Sequence, residues 1–352
     1  MREHWTWRCP RCRGSLETGF HRWSCRGCGA GFEAFRGIPD LRTRDDVYLD
    51  NQADLRIARR LIEDFDRRDF LGLLERYFDL EASVTREQRR RQVAHILSAP
   101  ARARRWLDQV GAAVAAEGLL DLGCGSGSFL AAVGNTVPRA CGVDIALRWL
   151  ILARKRLDEA GLSRVPLVCA CAEDLPLADA SVRAVIAGDV IEHVEDQART
   201  LEEAYRVLRP GGRLFLASPN RYSLAPEPHV GVWGVGYLPR QWMPRYVQMV
   251  RQVDFRAIRT LGSREWARLL RFSSFRRGVL TVPELSEEDL RSRGGLTRAL
   301  GAVYNRVVRH PIGQRAGRLV GPLFHVVCEK PHVVTPTRPT RATLRRSMPP
   351  AA

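Results

Sequence analysis

The sequence predicts an α/β fold: a doubly wound, mostly parallel sheet, preceded by a small cysteine-stapled module and carrying helical additions. Three observations predict it. Short apolar runs alternate with helical patterns between Gly118 and Ser218, the pattern of strand–helix–strand units. A glycine loop, Gly123-Cys124-Gly125-Ser126-Gly127, follows the first run and opens a helical pattern. Two C-x-x-C pairs lie within the first thirty residues. The 352 residues amount to about two domains. With 45% hydrophobic and 27% charged residues, a largely disordered chain is excluded. No run approaches the roughly 20 apolar residues of a membrane span. The start, MREHWTWRCPRC, lacks the apolar stretch of a secretory signal, so a cytoplasmic location is expected.

Residues 1–42 are too short for a core of their own and need a staple. Residues 43–117 read as a helical linker or cap. Leu55, Ala58, Leu61, Ile62, Phe65, Phe70, Leu73 and Leu74 recur at near-helical spacing, weakened locally by Gly72. A second helix is expected to stop at Pro100, and a third to run from Arg102 to Ala116. The α/β core spans 118–218, with strands over 119–123, 140–145, 165–171, 183–190 and 213–218. Residues 219–330 turn irregular, rich in aromatics, prolines and arginines, and end in a late β run over 324–330. Residues 331–352 read as a disordered tail.

The formal net charge is +17, yet only Lys155 and Lys330 are lysine among the 56 basic residues. Codon usage in a GC-rich genome produces that skew as readily as selection for phosphate contacts. A solvated arginine surface and attraction to an anionic polymer, membrane surface or phosphorylated substrate both stay open.

The glycine loop is not the dinucleotide fingerprint, because its spacing is G-x-G-x-G with Asp121 two residues ahead. A carboxylate there would repel a pyrophosphate and attract an ammonium. Asp144 ends the second strand 21 positions after Gly123, close to the roughly 20 expected of a carboxylate that grips ribose hydroxyls. One acid for an ammonium, one for a ribose and a glycine floor describe S-adenosylmethionine.

This stretch resembles the class I S-adenosylmethionine-dependent methyltransferases of the type 11 kind, with their Rossmann-like sheet. Cys169-Ala170-Cys171-Ala172-Glu173-Asp174-Leu175-Pro176-Leu177 resembles that family's third-strand motif, which flanks the adenine. Gly188-Asp189-Val190-Ile191-Glu192-His193-Val194 resembles the fourth-strand motif, and Leu208-Arg209-Pro210-Gly211-Gly212-Arg213-Leu214 the turn into the fifth strand. The resemblance implies cofactor contacts from Asp121, Gly123, Cys124, Gly125, Gly127, Asp144, Ile145, Cys171, Ala172, Glu173 and Asp189. Cys171 departs from the family's usual Asp or Asn, and a thiol is a weak acceptor. Adenine recognition is then expected from backbone near Ala172 and from Glu173.

Cys9-Pro-Arg-Cys12 and Cys25-Arg-Gly-Cys28 lie twelve residues apart, the layout of two knuckles that deliver four thiolates to a structural Zn2+. The module is similar to the small zinc-ribbon activators of RNA and protein methyltransferases. A guanine-specific rRNA methyltransferase group also carries an N-terminal zinc module. Loss of the metal is expected to destabilise 1–42 and to spare cofactor binding.

Methyl transfer from a sulfonium is a displacement in which the protein positions a nucleophile and excludes water. His193, after the fourth strand, is a candidate general base. Some quinone-type O-methyltransferases use a divalent metal through a cluster like Asp189, Glu192 and His193. Here Asp189 is expected to close the methionine end and Glu192 to cap the next helix. The loop after the fifth strand reads as a lid, with Asn220, Arg221, Tyr222, Trp233 and Tyr237 as substrate contacts and His229 as a second catalytic candidate. The leading function is O-methylation of a small or medium-sized acceptor: a lipid precursor, quinone, glycan or secondary metabolite. An RNA methyltransferase, using the ribbon and basic surface, and a zinc-dependent non-enzymatic scaffold are the alternatives. No transmembrane segment is expected; peripheral membrane contact stays open.

Overall fold

The computed structural model describes residues 5–81, 86–285 and 295–332. The tail read over 331–352 lies outside the described residues from 333 onward. The N-terminal module is a four-stranded antiparallel sheet: β1 (Leu16–Glu17), β2 (Arg22–Cys25), β3 (Gly31–Phe35) and β4 (Ile38–Pro39). Arg36 and Gly37, at φ 50° and 80°, make the two-residue turn from β3 to β4, the primed type that matches strand twist. Its buried Trp7, Trp23 and Phe32 share a core with Leu175 and Leu177.

The main sheet has seven strands: β5 (Leu119–Leu122), β6 (Ala140–Asp144), β7 (Leu167–Cys169), β8 (Val182–Gly188), β9 (Leu208–Pro219), β10 (Val279–Thr281) and β11 (Leu323–Glu329). Their order is β10-β11-β9-β8-β5-β6-β7. The five from β5 to β9 are parallel, buried on both faces as the continuous apolar runs require. The late run pairs antiparallel with β9, and β10, which sequence periodicity missed, pairs with β11. The Leu208–Leu214 motif is a bulge inside β9, not a separate turn. Register jumps from Val182↔Leu208 to Ala184↔Arg213, with Gly211 at φ 74° absorbing the extra backbone.

Three helical expectations change. The apolar pattern of 55–80 is two helices, α1 (Asn51–Asp64) and α2 (Phe70–Leu80). Asp69 restarts the helix by accepting the Gly72 amide at 2.8 Å. Pro100 does not stop its helix; α3 runs through it, Arg86–Val110, and α4 (Ala112–Ala116) follows. Proline lacks the N–H that would bond the carbonyl of residue 96. Arg156 replaces it, donating from Nη2 to the Ile96 oxygen at 3.5 Å. Helix α7 (Gln197–Val207) is capped by Asp196, which accepts the Arg199 amide at 3.0 Å, not by Glu192.

Between β5 and β7 lie α5 (Ser128–Val133) and α6 (Leu147–Glu159). After β9 come α8 (Met243–Arg251), α9 (Ser263–Phe272), α10 (Gly295–Val308) and α11 (Pro311–Val320). The lid has a small core of its own, Val232, Val235, Met243, Val247, Phe255 and Ile258. No helix among the described residues is long and apolar enough to cross a membrane.

Candidate active site

The loop from β5 to α5 is held by geometry that only glycine meets. A Cβ on Gly123, at φ 71°, would stand 2.2 Å from Val190 Cγ2. Gly125, at φ 48°, faces open space, with nothing within 4 Å of where a Cβ would stand. Gly127 caps α5 at φ 70°, and Cys124 is buried beneath the loop. Asp121 is buried with Oδ2 unpartnered. Burial first, and Asp144 second, push its carboxyl well above the usual range. Asp144 accepts the Gly125 amide at 2.8 Å on one oxygen and the Ala146 amide at 2.8 Å on the other. Burial holds it up at about 6, against those two amides. An orphaned buried acid, a second acid with lone pairs to spare and an open glycine floor fit the ammonium, ribose and close-approaching backbone of S-adenosylmethionine.

The segment after β4 packs along residues 171–174. Cys171 is buried and its thiol donates to the Arg44 oxygen at 3.9 Å. Ala172 is buried beside it. Glu173 Oε1 accepts the Glu195 and Asp196 amides at 3.0 and 3.2 Å. Thr43 donates to Asp174 at 2.8 Å. Behind Asp144, Arg42 and Arg148 share the fully buried Asp54, at 2.8 and 2.7 Å, and Arg148 also reaches Asp46 at 3.1 Å. Arg42 Nη1 also donates to the Ile145 oxygen at 3.3 Å. None of these linker residues was visible as a site residue, because their partners lie a hundred residues away.

Both candidate histidines meet. His193 follows β8, and His229 comes from the lid; their Nε2 atoms are 3.1 Å apart. Nδ1 of His229 contacts Glu227 Oε1 at 2.5 Å, and Glu227 Oε2 accepts the His229 and Val230 amides. Nδ1 of His193 faces the Tyr48 hydroxyl in a short hydrogen bond. Burial, then His229, push His193 down to about 3. Burial also opposes charge on His229, yet the Glu227 hydrogen bond outweighs it and His229 is raised. Glu192 lies alongside, fully buried, with neither carboxylate oxygen partnered. Burial, then Asp189, push it up to about 8. Asp189 sits at φ 56°, a left-handed conformation placed at the end of β8. One donor atom from each of Glu192, His193 and His229 lies within 4.8 Å of the others, so the trio could also hold a cation. The sequence pointed to each histidine singly; Glu227 and Tyr48 were missed.

The lid residues divide. Asn220 is spent on the fold, its Nδ2 donating to the Gly321 oxygen at 2.8 Å and its Oδ1 accepting the Tyr222 amide. Arg221 anchors the lid through the Gly236 and Leu238 oxygens and Glu265. Three of the five N–H donors of Arg221 are used in this way. Trp233 and Tyr237 are exposed, and Tyr222 is at the edge of exposure.

The thiols of Cys9, Cys12, Cys25 and Cys28 converge within 4.8 Å. Amides of Gly14, Gly27 and Cys28 point at Cys12 and Cys25 sulfurs. The Cys28 amide leads in pulling Cys25 down to about 6, while Cys9, chiefly by burial, and Cys12 are pushed up. The donor set and turn geometry fit Zn2+.

The parallel sheet carries a glycine loop flanked by the buried Asp121 and the half-buried Asp144, a crevice that fits S-adenosylmethionine. Residues 120–216 match the family described as "Methyltransferase domain". The chain is 35% identical over 108 residues to a "Probable S-adenosylmethionine-dependent methyltransferase" of Mycolicibacterium smegmatis, covering 31% of this chain and 40% of that protein. It is 33% identical over 118 residues to a "Ubiquinone biosynthesis O-methyltransferase" of Thiobacillus denitrificans, covering 33% and 50%. Among solved structures it is similar to geranyl diphosphate C-methyltransferase from Streptomyces coelicolor, with TM-score 0.43 and 18% identity over 65% of this chain and 75% of that one. The chain spans half or less of the length of these two curated relatives.

Proposed function

We propose that this chain transfers a methyl group from S-adenosylmethionine to an oxygen of a small or medium-sized acceptor, such as a lipid precursor, quinone, glycan or secondary metabolite. The observation that carries this reading is the relay His193–His229–Glu227 at the carboxyl edge of β8, where ligands bind in open α/β sheets, with the Tyr48 hydroxyl seated on its open end. The similarity to the ubiquinone biosynthesis O-methyltransferase of Thiobacillus denitrificans supports the choice of oxygen. The four cysteines would hold a structural Zn2+, and a reducing cytoplasm keeps such thiols available to it.

The cofactor, bound on Asp121, Asp144 and the glycine floor, supplies an activated methyl group. The protein supplies a place for the proton. With Nδ1–H of His229 given to Glu227, Nε2 of His229 accepts from Nε2–H of His193. That tautomer, assigned from the partners, leaves Nδ1 of His193 open to an acceptor hydroxyl in the place Tyr48 now marks. A proton taken there moves on to His229, whose cation Glu227 favours while burial disfavours one on His193. The lid, which carries His229, keeps water from the methyl group.

His193→Ala should lower kcat by about 10²–10⁴-fold with cofactor affinity unchanged by calorimetry, and Glu227→Gln should fall between. Wild-type kcat in His193→Ala sinks the relay. Radiolabelled methyl groups should appear on phenolic, catechol or sugar hydroxyls from an acceptor panel. Label on RNA alone overturns the acceptor class.

A further inference from the structure

Helices α10 and α11 are amphipathic in the inverted sense. Both rest their inner faces on the segment Val282–Leu285. Tyr304 donates to the Pro283 oxygen at 3.0 Å, Asn305 pairs with Leu285, and Gln314 pairs with both backbone groups of Val282. Gly313 and Gly317 are the buried residues of α11; a Cβ on Gly317 would stand 3.3 Å from Val282. Val308 also turns inward, into the main core, but other aliphatic side chains point the other way. Leu300, Val303 and Val307 form an exposed i, i+3, i+7 stripe, and Ile312 and Leu319, 80% and 60% exposed, form a second. Arg298, Arg306, Arg315 and Arg318 stand among them, exposed and with no ion pair to the described residues. Residues 240–330 carry seventeen Arg and one Lys against seven acids.

We propose that this hairpin is a docking surface for an anionic lipid bilayer, on which the protein sits peripherally. Outward aliphatic stripes edged with unpaired arginines are what an interfacial helix presents to the headgroup boundary. The alternatives fit less well. RNA rewards the arginines and leaves Ile312 and Leu319 in water. A second copy seated on this face would set the same four arginines against their own counterparts. The surface also continues into the lid. Leu224 donates its amide to the Val320 oxygen at 3.1 Å, and the Trp233 indole donates to the Leu224 oxygen at 3.0 Å. An exposed Trp with its N–H satisfied belongs at a membrane–water boundary. A docked bilayer would thus lie beside the segment that carries His229.

The test is sedimentation of the full-length, zinc-loaded protein with vesicles of phosphatidylcholine alone or mixed with phosphatidylglycerol, without cofactor. The protein should pellet with the anionic vesicles and less so as salt rises from about 0.1 to 0.5 M. The double variant Ile312→Glu/Leu319→Glu should bind at least about tenfold more weakly with an unchanged melting temperature, since both side chains are exposed. Arg315→Gln/Arg318→Gln should weaken binding to the anionic vesicles and flatten its dependence on phosphatidylglycerol content and on salt. A protein that stays in the supernatant, binds neutral vesicles equally, or forms a dimer that Ile312→Glu dissolves overturns the proposal. Because the binding is read without turnover, any of these leaves the methyl-transfer reading standing.

Discussion

At the residue scale, two buried acids in the crevice behave differently because their partners differ. Asp121 has an oxygen with no partner, whereas both oxygens of Asp144 meet backbone amides. Its neighbours Asp46 and Arg148 act on it in opposite directions. Asp144 is held up at about 6, chiefly by burial, so the sign of its linkage is the reverse of the usual carboxylate. The folded state prefers the protonated form, so this group's share of stability is present at low pH and is lost as pH rises from about 4 through 6. Cofactor binding, which needs the anion for ribose hydroxyls, should go the other way. Calorimetry should show S-adenosylmethionine affinity falling as pH drops through about 6, and Asp144→Ala should weaken binding about tenfold or more and flatten that dependence. A pH-independent affinity in the native protein would argue that another group holds the ribose. The spacing to Gly123 made Asp144 legible; the amides that meet it were not.

Elements carry the second lesson. Strands of the parallel sheet were readable because burial on both faces leaves continuous apolar runs. β10 was not readable: three residues, half-exposed at a sheet edge, leave no period. Pro100 shows local chemistry overridden by a tertiary partner, since Arg156 satisfies the carbonyl its missing N–H abandons. Removing that conflict should help the fold. Pro100→Ala should raise stability in urea unfolding by about 1–3 kcal/mol, the helix-interior difference between the two residues. Unchanged or lower stability would mean that the helix around residue 100 depends on the proline.

Across the whole molecule, the cysteine module is not an independent bead. Leu41 donates its amide to the Cys169 oxygen at 2.8 Å, so the chain after β4 extends the main sheet beyond β7. A second seam joins Arg8 to Pro176 and Thr6 to Ala178, and Arg13 reaches Glu203 and the Leu175 oxygen. The next residues along, Arg42 to Arg44, pack against Cys171 and Asp174 and, through Arg42, join the buried Asp54 network. The expectation that metal loss spares the cofactor site is therefore revised. Cys12→Ser should release the metal and also weaken S-adenosylmethionine binding, by about tenfold if that segment loosens as a unit. Full cofactor affinity in metal-free protein would restore the independent-module picture.

By itself the sequence determined the sheet, the glycine loop, the two acids at its edge and the four-thiol cluster, because each is written in local spacing: a period, a turn residue, a knuckle. Tertiary structure alone decided that His193 meets His229, that Glu227 completes the relay and that Tyr48 sits on its open end. It also decided that Glu173, Asn220 and Arg221 each bond to distant parts of the chain, and that the segment after β4 pairs with the edge of the main sheet. Those outcomes depend on partners brought together from distant parts of the chain, where burial and hydrogen bonding choose among groups that spacing leaves equivalent.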